Sequence, residues 1–152
     1  MKSAGVLFGS SSSVDALQIA TAAIEAGAGL ALLSFPSRAV ELLLGVPLEA
    51  PGASTVARVG GTALLTLGAA SWLARGDMQS SAARGLVAAM VLYNLGVALV
   101  LGAAGIRLEH IGVALWPAVV LHTAMTLWCI VSLRSLSVAQ RTGKSASEAI
   151  AQ

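Results

Sequence analysis

Apolar residues fall into four long runs, at about 14–34, 54–74, 85–105 and 111–133, separated by polar or Gly/Pro-bearing breaks. Each run approaches or exceeds the roughly 20 residues that an α-helix needs to cross the hydrocarbon core of a bilayer. A membrane β-barrel would instead show alternating segments of about ten residues, and no such alternation occurs. The pattern predicts an all-α, polytopic membrane protein: a four-helix transmembrane bundle over 14–134, a polar N-terminal tail over 1–13 and a polar C-terminal tail over 135–152. The first break contains a short element of its own. In SFPSRAVELLLGVP, Ser34 is placed to cap a helix, Pro36 suits its first turn, and Gly45 and Pro47 stop it. Arg38 and Glu41 share one side, while Val40, Leu43 and Leu44 need burial. This predicts a short interfacial helix in the first external loop, lying over the bundle.

Composition sharpens this picture. Hydrophobic residues make up 57% of the chain and charged residues 11%, against about 25% charged in a typical soluble domain. The chain lacks the charge to cover a water-facing surface. The net charge of +2, with no basic stripe, gives no reason to expect a nucleic-acid partner. The basic residues sort by side instead. Lys2, Arg75, Arg84, Arg134, Arg141 and Lys144 flank one set of span ends, whereas the first and third loops carry only Arg38 and Arg107. By the positive-inside rule, both tails are expected in the cytoplasm. The apolar stretch AGVLFG after Lys2 is shorter than the roughly 7–15 residues of a signal-peptide core, so it reads as part of a tail. A single cysteine, Cys129, excludes an internal disulfide, a CxxC pair and a cysteine-rich metal site.

Each span carries at least one strong polar group: Glu25, Arg58, Asn94 beside Tyr93, and His122. Ionisable residues within spans usually face the bundle interior. Helical spacing joins them to small or polar neighbours. Asp15, Gln18, Ala22, Glu25 and Gly29 share a face. Arg58, Gly61 or Thr62, Leu65 and Gly68 share another, as do Asn94, Ala98 and Gly102, and also His122, Thr126 and Cys129. Such faces suit close helix packing in lipid and predict a polar centre with a Leu/Val/Ile exterior. Glu25 is the costly member. A charge at mid-span costs about 2.5–3.5 kcal/mol, and each Leu or Ile offsets about 0.3–0.6. The six Leu and Ile residues between Leu17 and Leu33 barely cancel it. Glu25 is therefore expected to be neutral through protonation or paired with Arg58 or His122. His122 has too few companion ligands for a metal or haem site, so no cofactor is expected. Pro117 predicts a kink in the fourth span, freeing the carbonyl of Val113. Trp72, Trp116 and Trp128 are placed toward span ends, as interface aromatics are.

The segments FPSRAVELLLGVPL, ARVGGTALLTLGAASWLAR, YNLG and LWPAVVLH resemble small four-span bacterial inner-membrane proteins, similar in general plan to the DoxX-like group. The likeness covers about 14–134 and implies a four-helix bundle with no defined reaction. A glutamate in the first span is also found in small multidrug exporters, and Glu25 matches in that respect alone.

Three functions compete. The first is a non-catalytic accessory protein, or a bundle that binds a small apolar ligand. The second is a proton-coupled transporter using Glu25, acting as a homodimer. The third, an intramembrane enzyme, is disfavoured because nucleophile, metal and nucleotide motifs are missing. The expected partners are the lipid bilayer and either a second copy or another membrane protein. The candidate polar-centre residues, for ligand or proton, are Glu25, Arg58, Tyr93, Asn94 and His122. The topology makes a direct prediction. Gln79→Cys and Ser147→Cys should react with an impermeant thiol reagent only from the cytoplasmic side, and Ala50→Cys only from outside. Labelling of positions 50 and 79 from the same side would sink the four-span arrangement.

Overall fold

A computed structural model describes residues 3–77 and 80–150, with the backbone alone described at 3–12, 51, 139, 140, 142–147 and 150. The described chain is helical, in the order α1 (Ser3–Ser34), α2 (Pro36–Leu44), α3 (Pro51–Ala74), α4 (Ser81–Arg107) and α5 (Leu115–Ile150). Four helical stretches are long and apolar enough to cross a membrane: Ser13–Ser34, Gly52–Ala74, Ser81–Arg107 and Leu115–Val138. The stretches read as polar tails continue α1 and α5 as helix, over Ser3–Ser13 and beyond Val138. Extending a formed helix costs far less than nucleating one. Met1, Lys2, Met78, Gln79, Ala151 and Gln152 lie outside the described residues.

Two antiparallel pairs build the bundle: α1 packs mainly on α3, and α4 mainly on α5. The first pair is held by backbone approach. A Cβ on Gly29 would lie 2.7 Å from the carbonyl oxygen of Gly61, and one on Gly61 would lie 2.8 Å from that of Gly29. Gly68 meets Ala22 and Ala26 in the same way, one and two turns along. Small residues that let backbones touch are the usual device of helix association in lipid, where no hydrophobic drive exists between spans. The two pairs then meet along a buried cluster: Val14 and Leu17 of α1, Ala83, Val87 and Met90 of α4, and Met125, Cys129 and Leu136 of α5. These residues recur at three- and four-residue spacing, so each helix contributes one stripe. The cluster lies in the half of the bundle nearer the outer ends of α1 and α5, called here the terminal end. Val56, Leu73, Leu92, Leu99, Val120 and Val131 point outward and are exposed, as an apolar exterior requires.

At the opposite end, α2 bridges the two pairs. Pro36 and Pro51 occupy first turns of α2 and α3, where their missing N–H is harmless. Phe35 takes the N-cap position of α2 and makes no side-chain capping bond, so Ser34 is not the cap. Arg38 and Glu41 form an exposed ion pair at 2.9 Å. Gly45 ends α2 in the left-handed conformation, at φ 77°, and its N–H donates to the Glu41 carbonyl at 2.8 Å. The next carbonyls are met from the loop between α4 and α5. The N–H of Ala114 donates to Leu42 at 2.9 Å, and that of Gly112 to Leu43 at 3.2 Å. A side chain at Gly112 would collide with the Leu42 carbonyl.

This junction corrects the reading of the fourth span. Residues 111–114 serve α2, and α5 begins only at Leu115. Pro117 therefore falls in the first turn of α5. There it frees no carbonyl within the helix and needs no kink. Trp128 likewise moves from a span end to mid-span, half-buried against the central cluster. The third span starts earlier than expected, because the Ser80 side chain accepts from the Ala83 N–H at 3.1 Å and caps α4.

Gly61→Leu should force α1 and α3 apart and lower stability by about 1–3 kcal/mol, the usual range for overpacking. Gly27→Ala, where a Cβ meets nothing within 4 Å, should leave it unchanged. Unfolding of both variants in detergent checks this, and equal effects would refute the backbone-contact account.

Candidate functional site

Near mid-bundle, three helices bring their polar groups together. Glu25 lies about 18 Å and 14 Å from the two ends of its span, taking 1.5 Å per residue over Ser13–Ser34. It is 2% exposed. Its Oε2 accepts a hydrogen bond of 2.9 Å from the Tyr93 hydroxyl on α4. The next residue, Asn94, is also buried. Its Nδ2 donates to the Met90 carbonyl at 2.8 Å, and its Oδ1 lies 2.8 Å from His122 Nδ1 on α5. The amide orientation sets the direction of this bond: Oδ1 can only accept, so His122 donates from Nδ1. Reversing the amide would set Oδ1 against a carbonyl oxygen. Thr126, one turn along from His122, donates its hydroxyl to the His122 carbonyl at 2.8 Å. The Tyr93 and His122 rings meet edge to face, with centroids 5.9 Å apart and planes at 82°.

The result is a continuous array from α1 through α4 to α5: Glu25, Tyr93, His122, Asn94. Tyr93 and Asn94 are neighbours in sequence, about 100° apart around the helix axis. One reaches α1 and the other α5, so α4 is tied to both partners at one level. Chemically, the array offers a carboxyl, a phenol and an imidazole within one low-dielectric layer. Among the described residues, no group of three His, Cys, Asp or Glu side chains could hold a metal ion.

Arg58 does not join the array. It is exposed at the α2 end of α3, one turn beyond the Gly61 contact with α1. The expected pairing of Glu25 with Arg58 or His122 is thus replaced by a bond to Tyr93. Gly61 and Gly68 hold their face of α3 against α1, and Arg58, one turn beyond that contact and away from the level of Glu25, is exposed. Of the shared faces read from spacing, Gln18, Ala22, Glu25 and Gly29 of α1 are buried and Asp15 is half-buried, while on α5 Thr126 and Cys129 are buried and His122 is half-buried. Ala98 and Gly102 of α4 are only half-buried.

Three buried polar residues escaped the sequence reading: Thr21, Ser71 and Ser132. With Gln18, they carry side-chain atoms that are buried and have no hydrogen-bond partner among the described residues. Thr21 was legible, since it sits three residues from Gln18 and four from Glu25. Ser71 stands alone in an apolar stretch, and Ser132 opens the polar run of Arg134, Ser135 and Ser137, so neither leaves a comparable signal.

Comparison with protein-family models, with curated proteins and with solved structures finds no match to this chain.

The Tyr93 contacts separate by substitution. Tyr93→Phe removes only the hydroxyl and should cost about 1–3 kcal/mol, because a buried acceptor on Glu25 loses its donor. Tyr93→Leu also removes the ring packed on His122 and should cost a further 0.5–1.5 kcal/mol or so. Equal unfolding midpoints for wild type and Tyr93→Phe would show that the hydrogen bond contributes nothing.

Proposed function

We propose that this chain is a non-catalytic membrane protein of the bacterial inner membrane, an accessory subunit or a binder of a small apolar molecule, with both tails cytoplasmic. In this reading the polar layer is an interlock that sets how the α1–α3 pair meets the α4–α5 pair. The observation that carries it is the mutual use of polar groups: Tyr93 donates to Glu25, and His122 donates to Asn94. The partners are internal and on different helices. A bundle that needs fixed register gains from such bonds, because slipping one helix by a turn would strand a carboxyl or an amide in hydrocarbon. The six-to-two sorting of basic residues supports the orientation, and the resemblance to DoxX-like four-span proteins supports the setting.

A second reading, a proton-coupled transporter acting as a homodimer, has one observation in its favour. The partner of Glu25 is a neutral phenol and not a cation, so the carboxyl keeps the option of binding and releasing a proton.

Two variants separate the readings. If Glu25 is an interlock, Glu25→Gln keeps an acceptor for Tyr93 and should retain wild-type stability. Glu25→Ala should then lose about 1–3 kcal/mol. If Glu25 carries protons, Glu25→Gln should fold normally and abolish pH-driven flux in proteoliposomes, since an amide releases no proton near neutral pH. Thermal unfolding and flux are measured on both. Normal stability in Glu25→Ala would overturn the interlock.

A further inference from the structure

Two groups of helical hydroxyls contrast. Thr62, Thr66, Thr123, Thr126, Ser135 and Ser137 each donate to a carbonyl three or four residues back on their own helix. Thr21, Ser71 and Ser132 do not. A carbonyl one turn back is within reach of any Ser or Thr in a helix, and in hydrocarbon an unmade bond is costly. A buried hydroxyl without that bond needs another partner. The Gln18 amide nitrogen is in the same condition. All four residues are 0–2% exposed.

Their placement is one-sided. Gln18, Thr21 and Glu25 follow one another at three and four residues, on one face of α1. Gly68 of α3 rests on Ala22 and Ala26, so Ser71, three residues further along, comes level with Gln18 and Thr21. On α5, Ser132 is ten residues past His122, about 15 Å toward the terminal end. The four groups thus descend from the polar layer to that end. Among the described residues, no buried side-chain nitrogen or oxygen on the α2 side of the layer lacks a hydrogen-bond partner.

We propose that Gln18, Thr21, Ser71 and Ser132 bind internal water, on the side of Glu25 that faces the terminal end of the bundle and on that side alone. Water fits the donor set. Hydroxyls and a primary amide both donate and accept, and a buried water makes about three hydrogen bonds to otherwise unpartnered groups. Unpaired buried polar atoms are rare enough in folded proteins that each calls for an explanation, and ordered water is a common one. Such waters leave the Tyr93–Glu25 bond intact, and they lie on one side of the carboxyl only.

The test is water-to-protein magnetisation transfer by NMR on the full chain in detergent micelles. Strong transfer is expected at the Gln18 side-chain amide and the Thr21 methyl, and little at the methyls of Leu17 and Val14, which are equally buried on the same helix. Thr21→Val keeps shape and removes the oxygen. It should cut transfer at the Gln18 amide several-fold and lower the Tm. Ser71→Ala provides the same reading from α3 if Thr21→Val does not fold. Transfer at Gln18 and Thr21 no greater than at Leu17 overturns the proposal. Transfer that persists unchanged in both variants overturns it too, because the water would then not be held by these groups. A dry site predicts the opposite stability effect, since replacing an unpartnered hydroxyl by a methyl is neutral or stabilising. The experiment reads water and not flux or register, so its failure would leave the interlock reading standing.

Discussion

The hydrogen bond from Tyr93 to Glu25 decides how the two halves of the bundle face each other. Within each pair, packing is sufficient: α1 and α3 share backbone contacts at Gly29 and Gly61, and α4 and α5 share a long interface. Between pairs the contact is slighter, and apolar matching alone would tolerate rotation or slippage. A carboxyl at mid-span removes that tolerance. It must find a donor or face hydrocarbon, and Tyr93 is the donor that the observed arrangement supplies. His122 and Asn94 repeat the constraint between α4 and α5. With Tyr93 and Asn94 adjacent in sequence, one turn of α4 fixes both interfaces.

The opposite end is fixed by different means. The carbonyls that end α2 are met by Gly45, Ala114 and Gly112. The last two of these donors belong to the loop between α4 and α5. Helix α2 itself is joined in sequence to α1 and α3. The loop helix therefore ties the first pair to the second through backbone bonds, which need no particular side chains but do need two glycines: Gly45 for its positive φ and Gly112 for its closeness to Leu42. The bundle is pinned at two levels, by side chains at mid-depth and by backbone at the α2 end.

Much of this was written in the sequence, and what was missed has physical causes. Span number and helical class follow from the length of apolar runs, which the bilayer thickness forces. The buried face of α1 followed from the spacing of Gln18, Ala22, Glu25 and Gly29. Depth within a span was less legible. Pro117 and Trp128 were misplaced because the start of α5 depends on residues 111–114 bonding to α2, a contact distant in sequence. Arg58 was misassigned because spacing alone put it on the same face as Gly61 and Gly68. A long side chain at the end of such a face can leave it, and Arg58 is exposed. The choice of Tyr93 over a cation as partner of Glu25 depends on how two parallel helices, α1 and α4, are rotated. No pattern within either helix encodes that rotation.

The two halves of the bundle differ in a way that follows from these constraints. From the polar layer toward the terminal end, the pairs meet closely around Leu17, Val87, Met90 and Cys129, and the buried polar groups without partners lie in the same region. Toward α2, the buried contacts of α1 are chiefly with α3, at Gly29, and α4 has no fully buried residue beyond Asn94. Close packing and unpartnered polar groups together are what a sealed, hydrated interior requires. Apolar walls exclude bulk solvent, while scattered hydroxyls and an amide hold individual waters. A looser, apolar half needs no such groups, and its surfaces suit lipid or an apolar ligand. The carboxyl of Glu25 stands at the boundary between these two environments, bonded to Tyr93, with its own polar stripe running toward one side only.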